Sequence, residues 1–291
     1  MNALVFPGQG SQKVGMGREI SEKFAPANEI FERANAVLGF DLRELCFEGP
    51  EELLKDTRIA QPALLTVGFI HFEAARANGI EAAMTAGHSL GEYTALVAAG
   101  ALEFEAALQL VKARAELMSQ APAGAMAALI GLADDKLDEV LSAASEFGVV
   151  VAANLNSPGQ IVISGEIAAV EAAMVEAKSR GAKIAVKLPV SGAFHSPLLK
   201  EAGEKMAALI DAAPIVDAQM PVFQNTSAAP ATDAEALRSA LRPQMTSAVR
   251  WSETVQSMVS QGATKFIELG PGSVLTGLVK RINKTVELEN L

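Results

Sequence analysis

The sequence predicts an α/β protein in which a small ferredoxin-like unit, βαββαβ, is inserted into a larger α/β body. Three observations carry that prediction. Half of the 291 residues are apolar and only 5% are aromatic, so the core must be built from Ala, Val, Leu and Ile, as in Ala-rich helices packed on a sheet. Short apolar runs ending in glycine turns alternate with helical patterns in both the N-terminal and the C-terminal part. Between them, residues 124–189 change rhythm to strand, helix, two strands, helix, strand. A chain of this length can bury one large core and still carry a smaller unit. The expected division is 1–123 with 190–291 for the larger body and 124–189 for the insert.

In order, "ALVF" (Ala3 to Phe6) is an apolar strand that breaks at Pro7-Gly8 into a glycine-rich loop, with a helix from about Met16. The loop glycines, Gly8, Gly10 and Gly15, do not have the dinucleotide-binding spacing, and no acidic residue stands at the end of a second strand about 20 residues on. Pro50 and the two glutamates after it mark a helix start, and "PALLTVGFIHFEAARANG" is a periodic helix closed by Gly79. "AAMTAGHSLGEYTALVAAGAL" reads as strand, tight turn and helix. "AMAALIGL" is then a strand and "DDKLDEVLSAASEFG" a helix. "VVVAANLNSPGQIVISG" gives two strands around an Asn-Ser-Pro-Gly turn, "AAVEAAMVEAKSRG" a helix and "AKIAVKLPV" a strand. The chain returns to the larger body at about Ser191, passes through "MPVFQNTS" as a strand, and ends with "KFIELGPGSVLTGLVKRI" as strand, Gly-Pro-Gly turn and helix.

A net charge of −10 without a long basic run argues against nucleic acid as a partner. Cys46 is the only cysteine, which excludes an intrachain disulfide and a cysteine-cluster metal site and fits a reducing compartment. The start "MNALVFPGQG" lacks a basic leader, and no run of 18 apolar residues occurs. A cytoplasmic protein is expected, monomeric, with no membrane partner, metal or bound cofactor.

Gly87-His88-Ser89-Leu90-Gly91 satisfies G-x-S-x-G between an apolar strand and a helix. A serine on such a turn needs small neighbours, and the following helix aims amide N–H groups, Leu90 first, at a developing oxyanion. The competing reading is an ordinary βα turn whose glycines permit close packing and whose serine caps the helix. A nucleophilic serine needs a base, and there are three histidines. His71 sits inside an apolar helix. His88 adjoins Ser89, but neighbouring side chains diverge at such a turn, so it supports the pocket. His195, on a loop before a helix starting near Ser196-Pro197, is the remaining candidate, and without Ser89 it would equally be read as capping a helix entrance.

No third carboxylate presents itself between the two, because Asp134, Asp135 and Asp138 read as helix-start and solvent-face residues. A Ser-His dyad oriented by a backbone group is therefore expected. Arg114 falls on the apolar face of its helix, four after Leu110 and four before Met118. It is read either as a structural arginine, paired or with its head in water, or as a fork for a substrate carboxylate.

Taken together, "FPGQGSQ", "GHSLGEY", "NSPGQIVISG", "GAFHSP" and "ELGPGSVLTGLVKR" resemble the malonyl-CoA:acyl-carrier-protein transacylases, in order and over essentially the whole chain. The resemblance implies an α/β-hydrolase-like large subdomain with an inserted ferredoxin-like subdomain. It implies Ser89 as nucleophile, His195 as base, Gln9 with the Leu90 amide as oxyanion site, and Arg114 as clamp for the malonyl carboxylate. Gln244, in "RPQMTSAVRW", matches the residue whose backbone orients the histidine. Phe194 resembles the bulky residue of malonyl-selective members, an aromatic ring that crowds a methyl branch at the α-carbon.

The implied reaction passes malonyl from malonyl-CoA to acyl carrier protein through a malonyl-serine, with fatty acid synthesis favoured over polyketide synthesis as the destination. Acyl carrier protein is acidic, so a local positive face is expected, for which Lys183 and Lys187 on the last strand of the insert and Lys280, Arg281 and Lys284 on the final helix are the candidates.

Overall fold

The structure, a computed structural model, describes every residue except Ser191. The expected return of the chain to the larger body at that residue lies outside the described residues. β1 (Asn2–Phe6) is followed by α1 (Arg18–Lys23), α2 (Pro26–Leu38), α3 (Leu42–Glu48), α4 (Glu51–Lys55) and α5 (Thr57–Ala77), then by β2 (Met84–Gly87), α6 (Gly91–Ala98) and α7 (Phe104–Ser119). Next come β3 (Ala125–Ile130), α8 (Leu137–Ala144), β4 (Val150–Ser157), β5 (Gln160–Gly165), α9 (Ile167–Ser179) and β6 (Ile184–Lys187). The chain closes with α10 (Lys200–Ala212), β7 (Val222–Phe223), β8 (Pro230–Ala231), α11 (Ala234–Leu241), α12 (Trp251–Ser260), β9 (Lys265–Glu268), α13 (Val274–Ile282) and β10 (Glu287–Asn290).

Two sheets form. The larger has the order β10-β9-β1-β2-β7-β8 and is parallel except for β8. Its central strand is apolar on both faces: Leu4 and Phe6 enter the core beneath α2, α5 and α7, while Ala3 and Val5 enter a second layer with Trp251, Val255 and Leu275. Burial on both faces is what a continuous apolar run such as "ALVF" provides. The smaller sheet, order β4-β5-β3-β6, is antiparallel throughout. One face, with Ala127, Leu129 and Ile163, packs on α8 and α9, and Met126 and Val162 on the other face join the main core.

Several elements differ from the sequence expectation. The first helix starts at Arg18 rather than Met16, because Gly15 and Gly17 take left-handed φ of 90° and 79° in the preceding turn. The long helix begins at Thr57, five residues before Pro62. Asp56 caps it by accepting from the Arg58 N–H at 2.9 Å, and Pro62 then costs one bond inside an otherwise buried helix. Only Val222 and Phe223 of "MPVFQNTS" are strand, and β10 arises from "ELEN", where no strand was expected.

Candidate active site

β1 and β2 run parallel with Phe6 opposite Gly87, so their C-terminal loops leave the sheet side by side, one carrying Gln9 and the other Ser89. Open α/β sheets place ligands at these carboxyl ends. The glycines of the two loops are required sterically. A Cβ on Gly87 would lie 1.9 Å from the Gly91 carbonyl, one on Gly91 2.1 Å from the Phe6 oxygen, and one on Gly8 2.4 Å from the His88 oxygen. Ser89 itself has φ of 52°, a left-handed conformation a serine holds only when its surroundings impose it. Asn225, just beyond β7, supplies that constraint: its Oδ1 accepts from the Ser89 N–H at 2.7 Å and its Nδ2 donates to the Gly87 carbonyl at 2.7 Å.

Ser89 Oγ lies 2.8 Å from His195 Nε2. His195 Nδ1 is 3.0 Å from the carbonyl oxygens of both Gln244 and Ser247. Both are acceptors only, so Nδ1 carries the proton and Nε2 is left to accept from the serine hydroxyl. Backbone carbonyls stand where a hydrolase triad has a carboxylate. Burial pushes the His195 imidazole down to about 3, and the charge of Arg114 pushes the same way against the Gln244 carbonyl. The ring is a neutral acceptor at any ordinary pH, so the pair can move a proton from Ser89 to His195 as the hydroxyl attacks.

Arg114 is 1% exposed. Its Nη2 donates to Ser89 Oγ at 3.0 Å and to Gln244 Oε1 at 3.0 Å, its Nη1 to Gln61 Oε1 at 2.7 Å, and its guanidinium lies over the Tyr93 ring. No carboxylate pairs with it directly among the described residues. The nearest acidic group in the network is Glu92, also 1% exposed, whose carboxylate accepts from Gln244 Nε2 at 2.7 Å and the Asn225 N–H at 3.3 Å. Burial raises Glu92 to about 7, against the hydrogen bonds from Gln244 and Asn225 and the charge of Arg114.

Around Ser89 is a cavity of about 110 Å³ lined by Gln9, His88, Leu90, Arg114, Met118 and Phe194 among others. It shares Gln9, Val190 and Phe194 with a cleft of about 860 Å³, on whose walls stand Lys55, Arg58 and Glu116. Thr57 donates to Gln9 Oε1 at 2.7 Å, which leaves the Gln9 amide NH₂ as the end free to donate. The Leu90 amide, at the first turn of α6, meets no acceptor among the described residues. No group of three or more His, Cys, Asp or Glu able to hold a metal ion occurs among the described residues.

The family model described as acyl transferase domain matches residues 3–289. The chain belongs to this family. It is 47% identical over 289 residues to the malonyl CoA-acyl carrier protein transacylase of Bacillus subtilis (strain 168), covering 98% of this chain and 91% of the relative. An acyl carrier protein S-malonyltransferase from Vibrio cholerae superimposes with a TM-score of 0.96 at 44% identity, covering 100% of this chain and 96% of that one. A malonyl-transacylase solved in complex with a holo type II PKS acyl-carrier protein superimposes with a TM-score of 0.97 at 41% identity, covering 100% and 95%.

In this acyltransferase, the structure brings Ser89, His195, Arg114, Gln244, Gln9, Leu90 and Phe194 to one place. His88 lies beside them but turns away from the serine: its Nε2 is 2.8 Å from Asn156 Oδ1 and its ring tilts against Trp251. Lys183, Lys187, Lys280 and Arg281 are exposed and line neither the cavity nor the cleft. Lys187 pairs with Glu171 of α9, which puts it on the helix-bearing face of the smaller sheet. Arg281 donates to Gln160, the first residue of β5. Sequence reading missed Asn225, Gln61, Glu92 and the Ser247 carbonyl. Glu92 alone left a signal, as a charged residue inside "LGEYTALVAAG", where every neighbour is apolar or small.

No helix among the described residues is long and apolar enough to cross a membrane.

Proposed function

We propose that this acyltransferase moves the malonyl group from malonyl-CoA to the phosphopantetheine thiol of an acyl carrier protein through a malonyl-serine intermediate. The observation that carries the reading is a hydroxyl, Ser89, touched at once by a neutral imidazole at 2.8 Å and an arginine fork at 3.0 Å in a cavity of about 110 Å³. That cavity suits a short acyl group and not a long chain. The names of the relatives support the same reading.

In the first half-reaction, His195 Nε2 takes the Ser89 proton as Oγ bonds to the thioester carbon. The tetrahedral oxyanion is held by the Leu90 amide and Gln9. Its collapse breaks the C–S bond, and the proton on His195 passes to the departing coenzyme A sulfur. In the second half-reaction, the carrier thiol gives its proton to His195 and attacks the ester, and Ser89 leaves with that proton restored. The Gln244 carbonyl orients the imidazole. Arg114 holds the free carboxylate of the acyl group, Phe194 crowds the α-carbon, and His88 braces the pocket wall through Asn156. The reaction needs no metal or resident cofactor.

The cleft beyond Gln9 and Phe194 takes the pantetheine arm. Residues 124–189 act as a ferredoxin-like subdomain against an α/β-hydrolase-like body of 1–123 and 190–291, so that the site lies between Met126 on the one and Ser89 on the other. Exposed Lys183, Lys187, Lys280 and Arg281 offer positive charge to an acidic carrier outside the cleft. The transferred malonyl group is the extender unit of fatty acid synthesis.

Intact-protein mass spectrometry after brief exposure to malonyl-CoA tests the reading. A malonyl adduct is expected on the wild type, absent from Ser89→Ala and discharged by holo carrier protein. An adduct lost as fast in buffer alone would make the enzyme a hydrolase, and no adduct at all would remove Ser89 from the mechanism.

A further inference from the structure

Glu92 is a carboxylate in the first turn of α6 with 1% exposure and no cation within ion-pair distance among the described residues. An ionisable side chain is rarely buried this completely without partners that use it. Its hydrogen bonds show what does. Both of its oxygens face N–H donors, Gln244 Nε2 and the Asn225 amide. Ionised, above about pH 7, Glu92 accepts only and holds the Gln244 NH₂ turned toward it. The same NH₂ donates to the Ser89 carbonyl at 2.8 Å. Oε1 then has one direction left, toward Arg114 Nη2. At the other end of the fork, Gln61 Nε2 lies 3.2 Å from Thr57 Oγ1, and Gln61 Oε1 is thereby turned to Arg114 Nη1. Two glutamine oxygens thus hold the guanidinium in register with Ser89, and at one of them the orientation is set by Glu92 together with the Ser89 carbonyl.

We propose that Glu92 is a positioning residue which, through the side chain of Gln244, fixes the Arg114 fork on Ser89 and so sets the preference for acyl groups carrying a free carboxylate. The inference rests on the carboxylate-clamp role of Arg114 stated above. A carboxamide at position 92 can donate as well as accept. Gln244 would then have its NH₂ held by the Ser89 carbonyl alone, and each flip of its amide would present NH₂ to a guanidinium, donor against donor. A carboxylate this close also opposes an incoming malonyl carboxylate, which a carboxamide would relieve. The two effects have opposite signs, and the proposal commits to the loss of orientation as the larger.

The test compares malonyl-CoA and acetyl-CoA as donors to holo carrier protein for wild type, Glu92→Gln, Arg114→Ala and the double variant, with thermal midpoints measured alongside. The wild-type malonyl adduct is scored first, since its absence would sink the transferase reading itself rather than the role of Glu92. Glu92→Gln is expected to lower kcat/KM for malonyl-CoA about ten-fold, mainly through KM, while acetyl-CoA changes by less than about two-fold. The double variant should show the same malonyl-to-acetyl ratio as Arg114→Ala alone. Equal losses for both donors, a rise in malonyl preference, or additive effects in the double variant would each overturn the proposal. If Glu92→Gln does not fold, Gln244→Met removes the amide between Glu92 and Arg114 and keeps the backbone carbonyl that His195 uses. The same malonyl-selective loss is expected there, and a parallel loss for both donors overturns the inference.

Discussion

Ser89 and His195 are two of three non-glycine residues with positive φ among the described residues, at 52° and 57°. A backbone of this kind costs about 1–3 kcal/mol at a residue with a side chain and persists only where neighbours over-determine it. Asn225 grips the Ser89 turn on both sides, and two carbonyls fix the His195 ring. The strain thus falls on the two residues that meet at 2.8 Å, where it aims one side chain at the other. Selectivity belongs to this scale as well. Phe194, 9% exposed, borders the cavity beside Ser89 and Arg114. Phe194→Ser should raise kcat/KM for methylmalonyl-CoA relative to malonyl-CoA about ten-fold, the worth of one methyl group in a tight pocket. An unchanged ratio would mean that the ring does not face the α-carbon.

The strand-to-helix junction of β2 and α6 explains why glycine stands at both flanks of the serine. Gly87 lies where a Cβ would be 1.9 Å from backbone atoms of Gly91 and 2.4 Å from the Glu92 nitrogen, and neither can yield as a flexible side chain would. Gly87→Ala is therefore expected to cost about 3 kcal/mol or more. Thermal unfolding should show this as a midpoint about 6 °C or more lower. A variant with the wild-type midpoint and wild-type adduct formation would show that the junction relaxes cheaply. The periodicity of α5 was legible, but its start was not. Proline is favoured in a first turn, which draws the expected boundary to Pro62, whereas the Asp56 cap and the burial of Ala60, Gln61 and Pro62 carry the helix back to Thr57.

Across the whole molecule, buried titratable groups set the response to acid. Unfolded imidazoles bind a proton below about 6.5, while burial holds His195 down to about 3 and His71 to about 4, with His88 also lowered. Between those limits the unfolded chain binds more protons, so this stabilisation is complete above about 6.5 and is lost as pH falls toward 4. Glu92 acts oppositely. Raised to about 7 from its ordinary 4.5, it keeps a proton in the native state that the unfolded chain has released, a stabilisation that disappears as pH rises through 7. Two or three histidines outweigh one glutamate. From pH 6 to pH 5 the unfolding free energy should fall by about 1 kcal/mol or more, roughly one net proton. Urea denaturation at the two pH values checks this, and a flat or rising stability would contradict it.

The sequence by itself determined the elements whose signal is local. Apolar runs ending in glycine gave β1 and β2, the βαββαβ rhythm gave the order of the segment from β3 to β6, and the spacing of Gly87, Ser89 and Gly91 marked the turn. It also singled out His195 as the base candidate by elimination, since only three histidines exist. Tertiary structure alone decided what that elimination left open. Arg114 had two readings on its helix, and only the packing of α7 against the β2 loop brings its Nη2 to Ser89 rather than to a structural carboxylate. The resemblance pointed to the Gln244 backbone as the group orienting His195, and the structure adds a second carbonyl, that of Ser247, 52 positions further along the chain, which carries no sequence signature. Glu92, Gln244 and Asn225 converge from a helix, a short turn and a strand end. Their hydrogen bonds depend on how those elements pack, and periodicity records only which side of an element is apolar.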